Sequence, residues 1–448
     1  MRRMYAGAAL LTLCAAAPLP AQQPTQLTLE QALRIARSGN PDFLRTANDL
    51  EVADNAIRSA WGAFLPSLNT SLNFNGSRST TLTSEDFFGD PIESPEPITS
   101  SRSSASQGVS TQMTLFDGGS SLRNLQARRA AFAGVDAQIE AQGVALEARV
   151  SREYFQVVRA VRNITLEEYL LASARDRLER TEQLLRLAAR NREDVLGARS
   201  DVAQAEQNVE RARGDADKTR LTLAATLGMN PTTSISVDSL LPPVFDPADL
   251  DVESLVTGAL ANSPFVRQRE SALRAAKHTA SAARGRRLPS VSASAGYSRG
   301  MSAAGYGAFR EFNPGQNYGF SFGLGVSLPL FSRFQTSEVI AQASANAVDA
   351  EHDLRSAQLT VERDVRAAII DLDNAYRSLQ LAEEQVELNR ERQELTQERY
   401  RQGGSDFTTL QNVIDRTAQA ERQALEALFG FINARISLEE KLGHRLEG

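Results

Sequence analysis

The stretch "NYGFSFGLGVSLPLF" (residues 317–331) alternates without a break: Tyr318, Phe320, Phe322, Leu324, Val326 and Leu328 on one face, Asn317, Gly319, Ser321, Gly323, Gly325 and Ser327 on the other. Period-two alternation marks a strand that meets apolar surroundings on one side and polar surroundings on the other. Three further segments repeat it. In "SLNTSLNFN" (67–75), Leu68, Thr70, Leu72 and Phe74 oppose Ser67, Asn69, Ser71, Asn73 and Asn75. Val109, Thr111, Met113 and Leu115 form one face of another segment, and Val291, Ala293, Ala295 and Tyr297 one face of the last. Soluble sheets rarely keep a face so uniformly Ser, Gly and Asn. An apolar face opposite a small polar one over about ten residues fits a transmembrane β-strand with lipid outside and water inside.

The rest of the chain supports that setting. Arg2 and Arg3 precede the apolar run "MYAGAALLTLCAAAP", and "PLPAQQ" offers a break after Ala21, the pattern of a secretory signal peptide over residues 1–21. The single cysteine, Cys14, falls inside it, and Leu13 before it argues against lipidation. The mature chain is therefore expected to lack thiol chemistry and disulfides. No later run approaches the roughly 20 apolar residues of a spanning helix. With 49 basic and 55 acidic residues the balance is mildly acidic, so no nucleic-acid partner is expected.

Prolines separate the structure types, because proline breaks helix interiors. All 16 avoid residues 98–230 and 330–448. There apolar residues recur at three and four, as in Val150, Tyr154, Val157, Val158 and Val161, and again in Val361, Val365, Ile369, Leu372 and Tyr376. One helix from about 118 to about 190 would be on the order of 110 Å long. "AARNRED" (188–194) and "RQGGSDF" (401–407) interrupt the two stretches and predict hairpin tips. Returning helices follow, over about 194–228 and 405–443, and opening helices over about 28–60 and 251–285 supply the remaining length of that arm.

The chain says everything twice. "LTLEQALRIARSGNP" (27–41) returns as "LDVESLVTGALANSP" (250–264), with Pro41 and Pro264 separated by 223 residues, as are Pro66 and Pro289. Phe116 and Phe331, and Gly228 and Gly443, stand 215 apart. The 8-residue difference falls between the two strand segments of each half, in a long loop at 78–103 and a shorter one near 301–316, both expected outside the cell. The halves are 22–249 and 250–448. Four strands cannot close a barrel, and open edges are not tolerated in lipid. Two copies would give an eight-stranded barrel filled by side chains, whereas three copies give twelve strands and the water-filled lumen that a polar face requires.

These residues resemble the TolC-like outer membrane efflux proteins over essentially the whole mature chain. The resemblance is carried by "LTLEQALRIARSGNP", by "LPS" entering the first strand of each half, by "LFDGG" and "SLPLF" leaving the second, and by "EYFQVVRA" (153–160). It extends to "EDVLGARSDVAQAE" and "RYRQGGSDF" at the two tips and to the terminal Leu227-Gly228 and Leu442-Gly443. It implies a mixed α and β membrane protein: a homotrimer with four transmembrane strands per chain in a twelve-strand barrel, and long helical hairpins forming a periplasmic α-barrel. It also implies an exit duct of a tripartite efflux or type I secretion system, in outer membrane lipid, coupled to a periplasmic adaptor (membrane fusion) protein and an inner-membrane pump that chooses the substrate. The alternative, a periplasmic coiled-coil scaffold, explains the helices but not the four amphipathic strands.

The tips are expected to meet the adaptor through Arg190, Asn191, Glu193, Gly403, Gly404 and Ser405. In the resembled family an aspartate ring narrows the periplasmic entrance. At six and nine positions after Gly403 this chain has Thr409 and Asn412 instead. The first tip carries the family's D-V-x-x-A-R pattern as Asp194, Val195, Ala198 and Arg199. Asp194 is thus the candidate gate charge, an N-cap of the returning helix, or both, and Asp406 a second ring or a cap. His278, His352 and His444 lack paired-ligand spacing, and no phosphate loop or nucleophile elbow appears. No catalysis, metal or cofactor is expected.

Overall fold

A computed structural model describes residues 26–82, 97–187, 191–233, 235–305, 307–310 and 317–446. The signal-peptide stretch lies outside them. The first half contains β1 (Gln26–Leu27), α1 (Leu29–Gly39), α2 (Pro41–Gly62), β2 (Ser67–Leu82), β3 (Pro97–Asp117), α3 (Ser120–Arg186), α4 (Arg192–Thr226) and β4 (Ser236–Val237). The second contains α5 (Val252–Asn262), α6 (Pro264–Gly285), β5 (Ser290–Ala304), the short α7 (Gly307–Arg310), β6 (Tyr318–Ser327), α8 (Gln335–Arg401) and α9 (Phe407–Leu442). Two helices, two strands, a long helix and a shorter helix thus occur twice in order. At 67 residues each, α3 and α8 are about 100 Å long.

Each opening helix proves to be two. The residue before a proline is pushed out of the helical region, and Asn40 (ψ 119°) and Ser263 (ψ 121°) both lie outside it. The prolines then sit at the first helical position, where a missing N–H costs nothing. Both breaks are used as joints. Asn40 Nδ2 donates to Thr226 O at 2.8 Å, and Gly228 (φ 72°) comes so close to Gly39 O that a Cβ there would lie 2.0 Å from it. In the second half, Pro264 stands beside Gly443. The "NP" and "SP" of the repeated stretch therefore dock on the "LG" that ends the same repeat.

The chain forms two compact units, and both repeats contribute to each: Met1–Asn40, Arg149–Val244 and Ser378–Asn433 make one, and Pro41–Ala148, Phe245–Arg377 and Ala434–Gly448 the other. The first is helical. Its core holds Val150, Tyr154, Val157, Val158, Leu223, Phe431 and Ile432, and the Tyr154 hydroxyl donates to Leu27 O and Asp238 O at 3.0 and 2.9 Å. Those bonds tie down the two-residue parallel pair β1 and β4, which is too short for sequence periodicity to reveal.

The second unit holds an antiparallel sheet of order β2-β3-β5-β6. Its register aligns Leu72, Phe74, Val109, Tyr297, Phe320, Phe322, Leu324 and Val326 on one side, with Phe322 93% exposed. Asn73, Ser110, Gly296, Ser294, Ser321 and Gly323 share the other. The row Leu72, Gln107, Arg299, Tyr318 brings a charged side chain onto this side, and Phe74 and Met301 stand one row beyond it. At 10 residues, β6 has the length of a membrane-spanning strand.

Three details correct the sequence reading. The stretch 78–103 is not all loop: β2 and β3 continue to the pair Leu82 and Pro97, joined by Ser79–Ser100 and Thr80–Thr99 hydroxyl bonds, because Ser and Thr pair well across strands without an apolar face. Residues 83–96 lie outside the described part. Likewise β5 runs to Ala304, and Ala308 of α7 donates its N–H to buried Ser103 Oγ. Finally, the alternation Val109, Thr111, Met113, Leu115 is interrupted by a bulge between Thr114 and Phe116, which sets Phe116 opposite Val291.

The turns from strand to long helix differ between repeats. Asp117-Gly118-Gly119-Ser120 has φ of 70° and 80° at its two glycines. The same turn 215 residues later, Ser332-Arg333-Phe334-Gln335, has φ of 51° and 67° at Arg333 and Phe334. A non-glycine residue in that region costs roughly 1–2 kcal/mol.

Candidate functional site

Both hairpin tips belong to the helical unit, and each must start a returning helix whose first N–H groups have no helical partner. At the first tip α3 ends at Arg186, and 188–190, including Arg190, lie outside the described residues. Asn191 is extended, and its Oδ1 accepts from Asp194 N at 2.9 Å, so Asn191 is the N-cap of α4. The N-cap expectation for Asp194 is thereby corrected: its backbone is capped and its carboxylate is left without that duty. Glu193 is exposed and Asp194 half-buried in the first turn, where negative charge complements the helix dipole. Arg199 of the same pattern pairs back to Glu182 on α3 at 2.9 Å.

The second tip is built differently. Gly403 (φ 79°) donates to Tyr400 O and Gly404 to Arg399 O, the paired bonds of a Schellman end that glycine makes possible. Gly403 and Gly404 are exposed, Ser405 half-buried. Asp406 Oδ1 then accepts from Thr409 N at 2.6 Å, so Asp406 caps α9. That backbone bond, helped by the Thr409 hydroxyl, holds its carboxyl below the usual carboxylate range. Thr409 and Asn412 follow one turn apart, both exposed.

The tips touch each other within this unit. A Cβ on Gly197 of α4 would lie 3.1 Å from the Phe407 ring of α9, so the missing side chain seats that ring. Beside it, Arg177, Arg180, Thr181, Tyr400, Phe407 and Leu410 line a cleft of about 460 Å³.

Farther from the tips, charged groups tie the hairpins together. Glu167, Ala174 and Thr181 recur every seven residues on α3 and are 4, 2 and 4% exposed. Glu167 forms a two-pronged pair with Arg422 of α9 at 2.6 and 2.9 Å. Arg177, on the same stripe, is pushed down by burial, opposed by the charges of Asp201 on α4 and Asp415 on α9. Burial in turn pushes the Asp201 carboxyl up, against the pull of Arg177. Sequence reading missed Glu167, Arg177, Asp201, Asp415 and Arg422. The available signal was a charged residue falling on an otherwise buried seven-residue stripe.

In the sheet unit, β2 and β6 are the edges, and among the described residues neither has a partner on its outer side. Among those residues no cluster of His, Cys, Asp and Glu has the arrangement of a metal site, and no helix is long and apolar enough to cross a membrane.

The sequence model of the family described as outer membrane efflux protein matches residues 32–229 and 255–444. Outer membrane protein TolC of Vibrio cholerae serotype O1 is 23% identical over 419 residues, covering 91% of this chain and 89% of that protein. Outer membrane efflux protein BepC of Brucella suis biovar 1 is 26% identical over 383 residues, covering 83% and 74%. The solved outer-membrane channel OprN superposes with a TM-score of 0.73 at 21% identity, over 93% of this chain and 89% of that one. A family match over most of both repeats, on a fold with the same order of elements in duplicate, places the chain in the outer membrane efflux protein family, as an outer membrane channel with its helical barrel in the periplasm.

Proposed function

We propose that three copies of this chain form the exit duct of a tripartite efflux or type I secretion system, closed at its periplasmic end by the hairpin tips and coupled there to an adaptor protein and an inner-membrane pump. The observation that carries the reading is the four-stranded sheet with two open edges, apolar on one side and Ser, Gly and Asn on the other. Such a sheet cannot stay open in lipid, and three copies supply twelve strands around a wet lumen. At the tips, Asn191, Glu193, Gly403, Gly404 and Ser405, with Arg190, form the adaptor surface; the exposure of Asn191, Glu193, Gly403 and Gly404 and the adjoining arginine-lined cleft support that role. Asp194, freed from capping, is the gate charge, and three copies around one axis concentrate cations at a narrow entrance. Asp406, Thr409 and Asn412 line the second tip's share of that entrance.

Two measurements test the proposal. The detergent-extracted protein should have the mass of three chains, and Gly404→Cys should crosslink to a cysteine on the copurified adaptor's hairpin. A mass of one chain, or absence of crosslinks from intact assemblies, overturns the corresponding half.

A further inference from the structure

Gly197 sits in the second turn of α4, just past Asp194, yet it is an ordinary helical residue rather than one of the glycines with positive φ. Nothing in the backbone demands glycine there, and glycine weakens a helix relative to alanine. The space does demand it. A Cβ at 197 would lie 3.1 Å from Phe407 Cε1 and 3.7 Å from Cζ, so the edge of that ring rests on the bare backbone of α4. Phe407 is the first residue of α9, directly after Asp406, whose carboxylate caps that helix through Thr409 N. The capped turn holds the ring at a fixed point. Ala198 and Leu410, which follow on the two helices, are 2 and 5% exposed.

The repeat shows that this contact is no by-product of duplication. Subtracting 215 carries Phe407 onto Arg192, and adding 215 carries Gly197 onto Asn412. Both counterparts are polar and exposed. One hairpin therefore supplies the ring and the other the notch, with no reverse copy of the pair in the chain. The ring also borders the cleft of about 460 Å³ that Arg177, Tyr400 and Gly403 line, so a ring that leaves the notch has open volume to enter. A side chain with a close-fitting seat and a roomy one beside it is a two-position element.

We propose that Phe407 seated on Gly197 is a latch of the closed duct: it fastens a chain's second hairpin to its first, and the entrance opens when the ring leaves the notch for the cleft. This rests on the reading that the tips close the duct and goes beyond it by naming a contact that must part. An apolar ring has no charged partner to lose. Its release depends on contact area and is insensitive to salt, unlike the Arg199–Glu182 and Arg422–Glu167 pairs that also join these helices.

Gly197→Ala separates a latch from a merely structural contact, because alanine strengthens the helix while its Cβ crowds the ring. In planar bilayers without adaptor, three-chain channels carrying Gly197→Ala or Phe407→Ala should show an open fraction about tenfold above the parent. Adding Gly197→Ala to Phe407→Ala should change nothing further, since no ring remains to be displaced. Phe407→Leu, which refills part of the notch, should return the open fraction toward the parent value. Where Phe407→Ala does not assemble, Gly197→Ala carries the test alone. A closed parent whose intact single variants are equally closed overturns the latch, and so do additive effects of the two substitutions. A parent channel that already conducts fully overturns the closed-tip reading, and the latch with it.

Discussion

The two hairpins perform one task with different chemistry. The first begins its returning helix on Asn191, whose amide oxygen caps without charge, so the Asp194 carboxylate at the first turn is not the cap. The second begins on Asp406, whose carboxylate is committed to Thr409 N at 2.6 Å, and is followed by neutral Thr409 and Asn412. A charge that caps a helix is poorly placed to gate, because its oxygen already serves the backbone. The second hairpin thus has a structural carboxylate, and the proposed gate charge is left to the first.

The largest expected effect comes from the bond that couples the hairpins. Glu167→Gln leaves Arg422 without its buried partner and should lower stability by about 2–3 kcal/mol, less than a fully buried pair because Arg422 is partly solvated. Thermal melts of the detergent-extracted assembly measure it, and an unchanged melt would mean that the hairpins hold together without this pair. Next is Asp194→Asn, which should reduce the cation-to-anion permeability ratio in planar bilayers by about tenfold while leaving the assembly intact. An equal change from Asp406→Asn would erase the distinction between the tips.

Asn191→Ala should cost about 1 kcal/mol through the lost cap, with ion selectivity unaltered. The smallest effect is a dependence on pH. The depressed carboxyl of Asp406 contributes stability above the ordinary carboxylate value of about 4, and that contribution is lost as pH falls through its lower folded value. Asp406→Asn should cap at all pH and flatten this acid loss. Asp201, whose carboxyl is raised by burial, has the opposite sign: its ionisation as pH rises through the raised value opposes folding. Melting curves of Asp201→Asn and Asp406→Asn between pH 3 and about 7 should therefore diverge from the parent protein in opposite directions.

Much of this was legible in the residues. The alternation around Tyr318–Val326 shows a strand with lipid on one side, since side-chain direction in a strand depends only on parity. Val150, Tyr154 and Val157 show the buried face of α3 for the equivalent reason in a helix. Pro41 and Pro264 were visible as repeat landmarks, yet the breaks they impose were overlooked because the apolar periodicity continues across them. Local rules also failed at 78–82 and 97–103, where a polar ladder extends the sheet without any apolar signal.

By itself, then, the sequence determined the repeat, the hairpins, the amphipathic strands and the carboxylates present at each tip, because periodicity, proline and glycine act over a few residues. Only the tertiary structure decided which of those carboxylates is occupied. Whether Asn191 or Asp194 caps α4 depends on where the chain enters the helix, and whether Gly197 admits the Phe407 ring depends on two segments more than 200 residues apart. The same holds for Gly118 and its repeat counterpart Arg333: both have positive φ, and only the fold sets the Gly285 carbonyl against Gly118, where a Cβ would lie 2.2 Å from it. Side-chain identity is local, but the demand placed on a side chain comes from whatever the fold brings opposite it.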